Sequence, residues 1–256
     1  MITGNIIGGL GNKMFQIATA YSLSLDNDEN CLFEPTEASN AHGNIDTYLD
    51  NIFRNVTLGQ ITSNPINYQE MGFHYNPLPY SSNLRLLGYF QSEKYFKNNK
   101  DKILELFSID DTSKKIIINK YGNLLKGNTC SLHIRRGDYL NLPNHHPPCD
   151  LKYYNNAIKL FDDDTTFLVI SNDILWCKEV FGGRENFIFV EDNADYIDMW
   201  LMSLCDNNII ANSSFSWWGA WLNKNEDKKV IAPKKWFGPA ISHDIKDLIP
   251  SSWTTL

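Results

Sequence analysis

Cys130-Ser-Leu-His-Ile-Arg-Arg-Gly-Asp-Tyr139 is a short apolar alternation that runs directly into two arginines and a glycine. Cys130, Leu132 and Ile134 alternate with Ser131, His133 and Arg135, so at a period of two the apolar side chains face one way and His133 and Arg135 the other. The stretch reads as a strand that carries cations to its carboxyl end. Gly137 permits a sharp turn just after them. Guanidinium groups are planar, permanently charged forks that match phosphate oxygens, and two at a strand end can hold a diphosphate without a metal. An arginine pair bridged to surface carboxylates is the plainer reading, and the dipeptide alone does not exclude it.

The surrounding pattern favours a ligand edge. From Thr129 onward the text alternates: strand 129–134, helix 151–161, strand 166–170, helix 174–181, strand 187–190, helix 194–204, strand 208–211, helix 215–223 and strand 229–232. Elements of this length and order form a parallel sheet covered by helices, with ligands outside the carboxyl ends of the strands. Those ends read His133-Ile-Arg-Arg-Gly-Asp138, Ser171-Asn-Asp173, Glu191-Asp-Asn193, Asn212-Ser-Ser-Phe-Ser216 and Pro233-Lys-Lys235. Ser213 and Ser214 stand where a helix begins, as an ordinary cap or as part of a phosphate site. Asp162-Asp-Asp164 resembles a sugar-transferase metal motif but precedes a strand, on the opposite edge, and reads as a solvated turn. His145-His146 lies among prolines without a third ligand at regular spacing and reads as a loop, so no metal site is expected.

The first half is less regular. Asn5-Ile-Ile7 reads as a buried strand broken at Gly8, Gly9 and Gly11, followed by a helix on which Met14, Phe15, Ile17, Ala18, Tyr21 and Leu25 recur at three- and four-residue spacing. The glycines do not fall as G-x-G-x-x-G, so a dinucleotide oxidoreductase rests on this loop alone. Asn12 can both donate to and accept from a sugar hydroxyl. Short helices and loops are expected across 48–53 and 68–80, then a strand from Leu84 to about Gln91 and a helix capped by Ser92. The polar stretch 110–128 carries the domain change, giving domains 1–125 and 126–256.

A net charge of −7 argues against a nucleic-acid partner, which needs a basic surface. Five scattered cysteines without a Cys-x-x-Cys pair point to reduced thiols. With no basic leader and no apolar run of the roughly 18 residues that a span needs, the expectation is a cytoplasmic protein without a transmembrane segment, at most peripheral to a membrane.

Five blocks now stand in order: Gly8-Gly-Leu-Gly-Asn-Lys-Met-Phe-Gln16, Gly88-Tyr-Phe-Gln-Ser-Glu-Lys-Tyr-Phe96, His133-Ile-Arg-Arg-Gly-Asp-Tyr139, Ile170-Ser-Asn-Asp173 with Trp176-Cys177, and Ser213-Ser-Phe-Ser-Trp-Trp-Gly-Ala-Trp-Leu222. Together they resemble the α-1,2-fucosyltransferases of glycosyltransferase family 11. The arginine block is shared with α-1,6 and protein O-fucosyltransferases, whereas the serine-tryptophan block is particular to this family. Lys13 stands where the family usually has Gln.

The resemblance implies a GT-B-like α/β fold, two Rossmann-like domains with parallel sheets facing a central cleft, the first on the acceptor side and the second binding GDP-β-L-fucose. It implies an inverting transfer of fucose to the 2-hydroxyl of a galactose-terminated glycan, a lipid-linked surface polysaccharide among the candidates, with no obligatory metal or cofactor. Donor contacts would come from Arg135, Arg136, Asp173 at the guanine edge, Ser213, Ser214, Phe215, Ser216, Gly9 and Asn12. Acceptor contacts would come from Asn12, Lys13, Tyr89 and Gln91. Arg135, Asp138 and His133 are the catalytic candidates; Asp138 is either a base or a clamp on the arginines, and His133 would lie near ribose or fucose. A silent GDP-fucose binder and a transferase of another linkage stay open, as does the oligomeric state.

Overall fold

The computed structural model describes residues 1–40 and 43–256, in two compact units. The first comprises Met1–Asp110 with His243–Pro250, the second Asp111–Ser242 with Ser251–Leu256.

The first unit holds a parallel sheet of β1 (Ile2–Gly4), β2 (Ile66–Gln69) and β3 (Leu84–Leu87) in the order β1-β3-β2. Helix α1 (Leu10–Asp26) buries Met14, Phe15, Ile17 and Ala18 of the expected stripe, whereas Tyr21 is only half-buried and Leu25 is exposed, with Leu23 buried instead. The entering strand is Ile2–Gly4, earlier than the expected Asn5–Ile7, and Gly11 lies inside the helix instead of breaking the chain before it. The turn is made by Gly8 at φ +81°, where a Cβ would sit 2.8 Å from Asn12 Nδ2. β2 replaces the short helix and loop expected near residue 68. It is a polar, exposed edge strand held through backbone pairing to β3, so its text carries no apolar alternation. Helices α2 (Asp46–Leu49) and α3 (Lys100–Leu106) are this unit's other α-helices among the described residues. The returning segment is fastened by Ser92 Oγ donating to the Asp247 carbonyl at 2.6 Å, by Tyr75 N and Lys94 Nζ donating to the Asp247 carboxylate, and by buried Leu248.

The second unit starts with helix α4 (Asp111–Tyr121), so the division falls at Asp110–Asp111 and not at 125–126. The reason is polar anchoring: Lys120 Nζ donates to the Glu191 carbonyl at 2.6 Å, and Asn193 Nδ2 donates to Tyr121 Oη at 2.9 Å. The sheet contains β4 (Thr129–Ile134), β5 (Thr166–Ser171), β6 (Phe187–Phe189), β7 (Asn207–Ile209), β8 (Val230–Ala232) and β9 (Thr254–Thr255). All pairings are parallel, in the order β6-β5-β4-β7-β8-β9. Between them run α5 (Leu151–Ile158), α6 (Ile174–Phe181), α7 (Asp195–Leu204) and α8 (Ser214–Trp221).

This is the doubly wound order, whose direction reverses between β4 and β7. β4 is buried along its whole length, as a central strand of a sheet covered on both faces must be. Cys130, Leu132 and Ile134 join a core with Tyr153, Tyr154 and Ala157 of α5 and Cys177 and Phe181 of α6. On the other face Ser131 Oγ accepts from Asn208 Nδ2 at 2.7 Å, and Asn208 Oδ1 accepts from Asn223 Nδ2 at 2.9 Å. Those buried polar groups are therefore mutually satisfied. Gly219 lets α8 approach α7 closely, since a Cβ there would lie 2.9 Å from Met202 Cβ.

Candidate active site

The reversal point sets the loop after β4 beside the loop after β7, because those two strands are direct neighbours. The β4 loop carries Arg135, Arg136 and Asp138. Arg135 donates to Asp138 Oδ2 at 2.8 Å, and its guanidinium lies 5.4 Å from the centre of the Tyr139 ring. Arg136 has Nε 3.1 Å from Asp173 Oδ2, a charge contact without the alignment of a hydrogen bond, and lies 4.5 Å from the centre of the Trp176 ring. Both guanidiniums are thus held against aromatic faces. Among the described residues the buried Nε atoms of Arg135 and Arg136 have no hydrogen-bond acceptor.

Asn172, just past β5, accepts from Arg136 N at 3.0 Å and Gly137 N at 3.2 Å and donates to Asp138 Oδ1 at 3.1 Å. Burial works to raise the Asp138 carboxyl, but the Arg135 hydrogen bond and charge, helped by Asn172, outweigh it and hold the group below the usual carboxylate range.

On the β7 side, Ser213 is buried at the start of α8 with extended backbone angles, and its side chain makes no capping bond. The first-turn N–H groups of a helix have no intrahelical partner and favour an anion. Ser214 and Phe215 are half-buried in that turn. Ser216 departs from the donor contact expected of it: it is fully buried, with Oγ donating toward the Ala211 and Ser213 carbonyls at 3.4 and 3.3 Å, which makes it part of the turn. Asn212, beneath them, is buried and donates to the Pro147 and Trp236 carbonyls at 3.0 and 2.9 Å, while its own carbonyl accepts from Tyr139 Oη at 3.1 Å. Tyr139 therefore ties the arginine loop to the serine loop. Burial lifts its hydroxyl to about 12, which keeps it a donor.

His133, at the end of β4, is buried with its ring 5.3 Å from that of Phe215. Burial first, and the Arg135 charge second, push its imidazole down to about 3. That makes it a neutral hydrogen-bonding group and a poor base near neutrality. Its Nδ1 has no partner among the described residues.

The first unit gathers its candidates around one turn. Gly9 begins α1 and is half-buried with nothing within 4 Å of a built Cβ. Asn12 Oδ1 accepts from Gln91 Nε2 at 2.9 Å, joining two of the predicted contacts. Tyr89 is exposed, and its N–H donates to Glu70 Oε2 at 2.7 Å. Lys13 corrects the expectation of an acceptor contact. It is fully buried, and its Nζ donates to the Gly8 carbonyl and to the Gly43 carbonyl at 3.2 Å, so it fastens the glycine turn from within. Asp162–Asp164 lies before β5 as expected, and no cluster of three His, Cys, Asp or Glu among the described residues is placed to hold a metal.

Comparison with known proteins decides the family: Glycosyl transferase family 11 matches residues 1–255. The chain belongs to glycosyltransferase family 11. Among its relatives, the O-antigen biosynthesis glycosyltransferase WbnK of Escherichia coli is 33% identical across 97% of this chain and 98% of the relative. An α-1,2-colitosyltransferase of Escherichia coli is 32% identical across 93% and 92%. Galactoside α-(1,2)-fucosyltransferase 2 of Bos taurus is 28% identical across 88% of this chain and 70% of its own length. The crystal structure of the α-1,6-fucosyltransferase NodZ soaked with GDP-fucose superposes with a TM-score of 0.59 at 12% identity, covering 86% of this chain and 92% of that one. That likeness concerns the fold, and this family 11 chain is accordingly GT-B-like α/β.

Two site residues of the family 11 chain escaped the sequence reading. Asn172 was visible only as part of a strand end, and Tyr139 only as the close of the arginine block. The available signal was position: both flank a carboxyl edge that already held the cations.

Proposed function

We propose that this family 11 enzyme transfers L-fucose from GDP-β-L-fucose to the 2-hydroxyl of a galactose-terminated glycan, with inversion and without an obligatory metal. The observation that carries the reading is the pair of guanidiniums at the reversal point beside the first turn of α8, Arg135 with a buried Nε lacking a hydrogen-bond acceptor among the described residues and Arg136 with a buried Nε held only by a misaligned charge contact to Asp173. Buried donors of this kind call for an acceptor-rich partner, and a diphosphate supplies one.

As the bond between sugar and phosphate breaks, negative charge builds on the β-phosphate. Arg135 and Arg136 and the start of α8 are positioned to stabilise it, the part a divalent cation plays elsewhere. Arg136 is held between Asp173 and the Trp176 ring, as Arg135 is between Asp138 and the Tyr139 ring. Asp173 then serves two partners, Arg136 and the N–H edge of guanine. His133, neutral, donates or accepts a hydrogen bond at the ribose or fucose. Acceptor recognition is assigned to the first unit, through Asn12, Gln91 and Tyr89.

A colitosyl group in place of fucosyl is the second reading, favoured by the α-1,2-colitosyltransferase among the relatives. The test is incubation with GDP-fucose and lactose followed by linkage analysis. Fucose at the 2-hydroxyl of galactose is the expected product; a different linkage, or transfer only of another deoxy sugar, would replace this reading.

A further inference from the structure

We infer that Asp138 is a clamp on Arg135 and not the base of the reaction, and that Asn172 is the positioning residue that sets the clamp and the arginine loop together. This rests on the donor reading above. Both carboxylate oxygens of Asp138 are engaged, Oδ2 by Arg135 at 2.8 Å and Oδ1 by Asn172 Nδ2 at 3.1 Å. A general base needs an oxygen within reach of the acceptor hydroxyl and a pKa near the working pH. The partners of Asp138 work against both requirements, since they occupy its oxygens and favour its charged form.

Asn172 is chemically matched to this task. One side-chain oxygen takes the N–H groups of Arg136 and Gly137, and one nitrogen supplies Asp138. Only a primary amide offers acceptor and donor on one planar group of this length. Gly137 is its counterpart, because a Cβ there would lie 2.7 Å from Asn172 Nδ2. A consequence follows for the anion: with the Arg136 and Gly137 N–H groups spent on Asn172, the loop offers a diphosphate its guanidiniums and not those two backbone donors.

Asn172→Asp keeps the acceptor for both N–H groups but turns a carboxylate toward Asp138. Asp138→Asn removes the charge that holds Arg135. In the double variant the roles exchange, with the amide at 138 donating to the carboxylate at 172 and presenting its oxygen to Arg135. Calorimetry with GDP and turnover with GDP-fucose and lactose are measured for all four proteins. GDP affinity should fall about tenfold or more in Asn172→Asp, the scale of one charge-assisted hydrogen bond. The double variant should recover at least about tenfold in turnover over either single variant. A double variant that binds GDP as wild type does but turns over no faster than Asp138→Asn would make Asp138 the base and overturn the inference.

If wild type itself fails to bind GDP, the donor reading falls. If wild type binds and Asn172→Asp binds equally well, only this inference falls. A carbon NMR titration of the Asp138 carboxyl needs no substrate; the charged or titratable groups facing it are Arg135, Tyr139 and His146. Its midpoint should rise in Asn172→Asp, and in Asn172→Ala, which adds no charge. An unchanged midpoint in both would again refute the clamp.

Discussion

Replacing His133 with Gln tests the electrostatics of the site without any substrate. In the folded protein burial and Arg135 push the His133 imidazole down to about 3, whereas an unfolded chain protonates a histidine near about 6.5. Below that higher value the unfolded state binds a proton that the folded state refuses. His133 therefore costs nothing above about pH 7, and stability is lost as pH falls from about 6.5 toward about 3. The slope approaches about 1.4 kcal/mol per pH unit, so the loss at about pH 5 is about 2 kcal/mol. All seven tryptophans lie in the second unit, so urea unfolding followed by tryptophan fluorescence reads the unit that contains His133. Wild type should lose about 2 kcal/mol more than His133→Gln between about pH 8 and about pH 5. Parallel losses in the two proteins would mean that the imidazole titrates normally, and the neutral assignment would be wrong.

Arg135→Ala should lower turnover at least about a hundredfold, the scale of one lost charge-stabilising donor, and near-normal steady-state kinetics would remove Arg135 from the chemistry. Gly219→Ala should destabilise the second unit by about 1–3 kcal/mol through the clash with Met202; an unshifted fluorescence midpoint would show that α7 gives way. Lys13→Met strips the Gly8 and Gly43 carbonyls of their donor and should weaken protection of the α1 amides in hydrogen exchange by about 1–3 kcal/mol, whereas unchanged protection would make Lys13 dispensable to the turn.

The second unit was largely legible because its strands are apolar runs separated by helices of ordinary length, and the ends of β4 and α6 fall where the pattern placed them. β9 was not, being two threonines whose pairing to β8 is a backbone matter. In the first unit β1 is three residues long and β2 is polar and exposed, so neither leaves a periodic trace. The cations were visible from Arg135-Arg136, but burial was not. Lys13 and Ser216 read as polar contacts, and the fold spends them on backbone carbonyls. The division at Asp110–Asp111 opens the polar stretch 110–128 that was read as the domain change, and the cut at 125–126 differs because α4 joins the second unit through buried Ile117 and through Lys120 and Tyr121, whose partners lie far along the chain.

GDP release from GDP-fucose in excess EDTA, with and without lactose, compares wild type with Arg135→Ala and tests the central claim most directly. Lactose-stimulated release that survives EDTA in wild type and collapses in Arg135→Ala is the predicted result. Release that vanishes with EDTA and returns with added divalent cation would contradict it, placing the leaving-group charge on a metal instead of the guanidiniums.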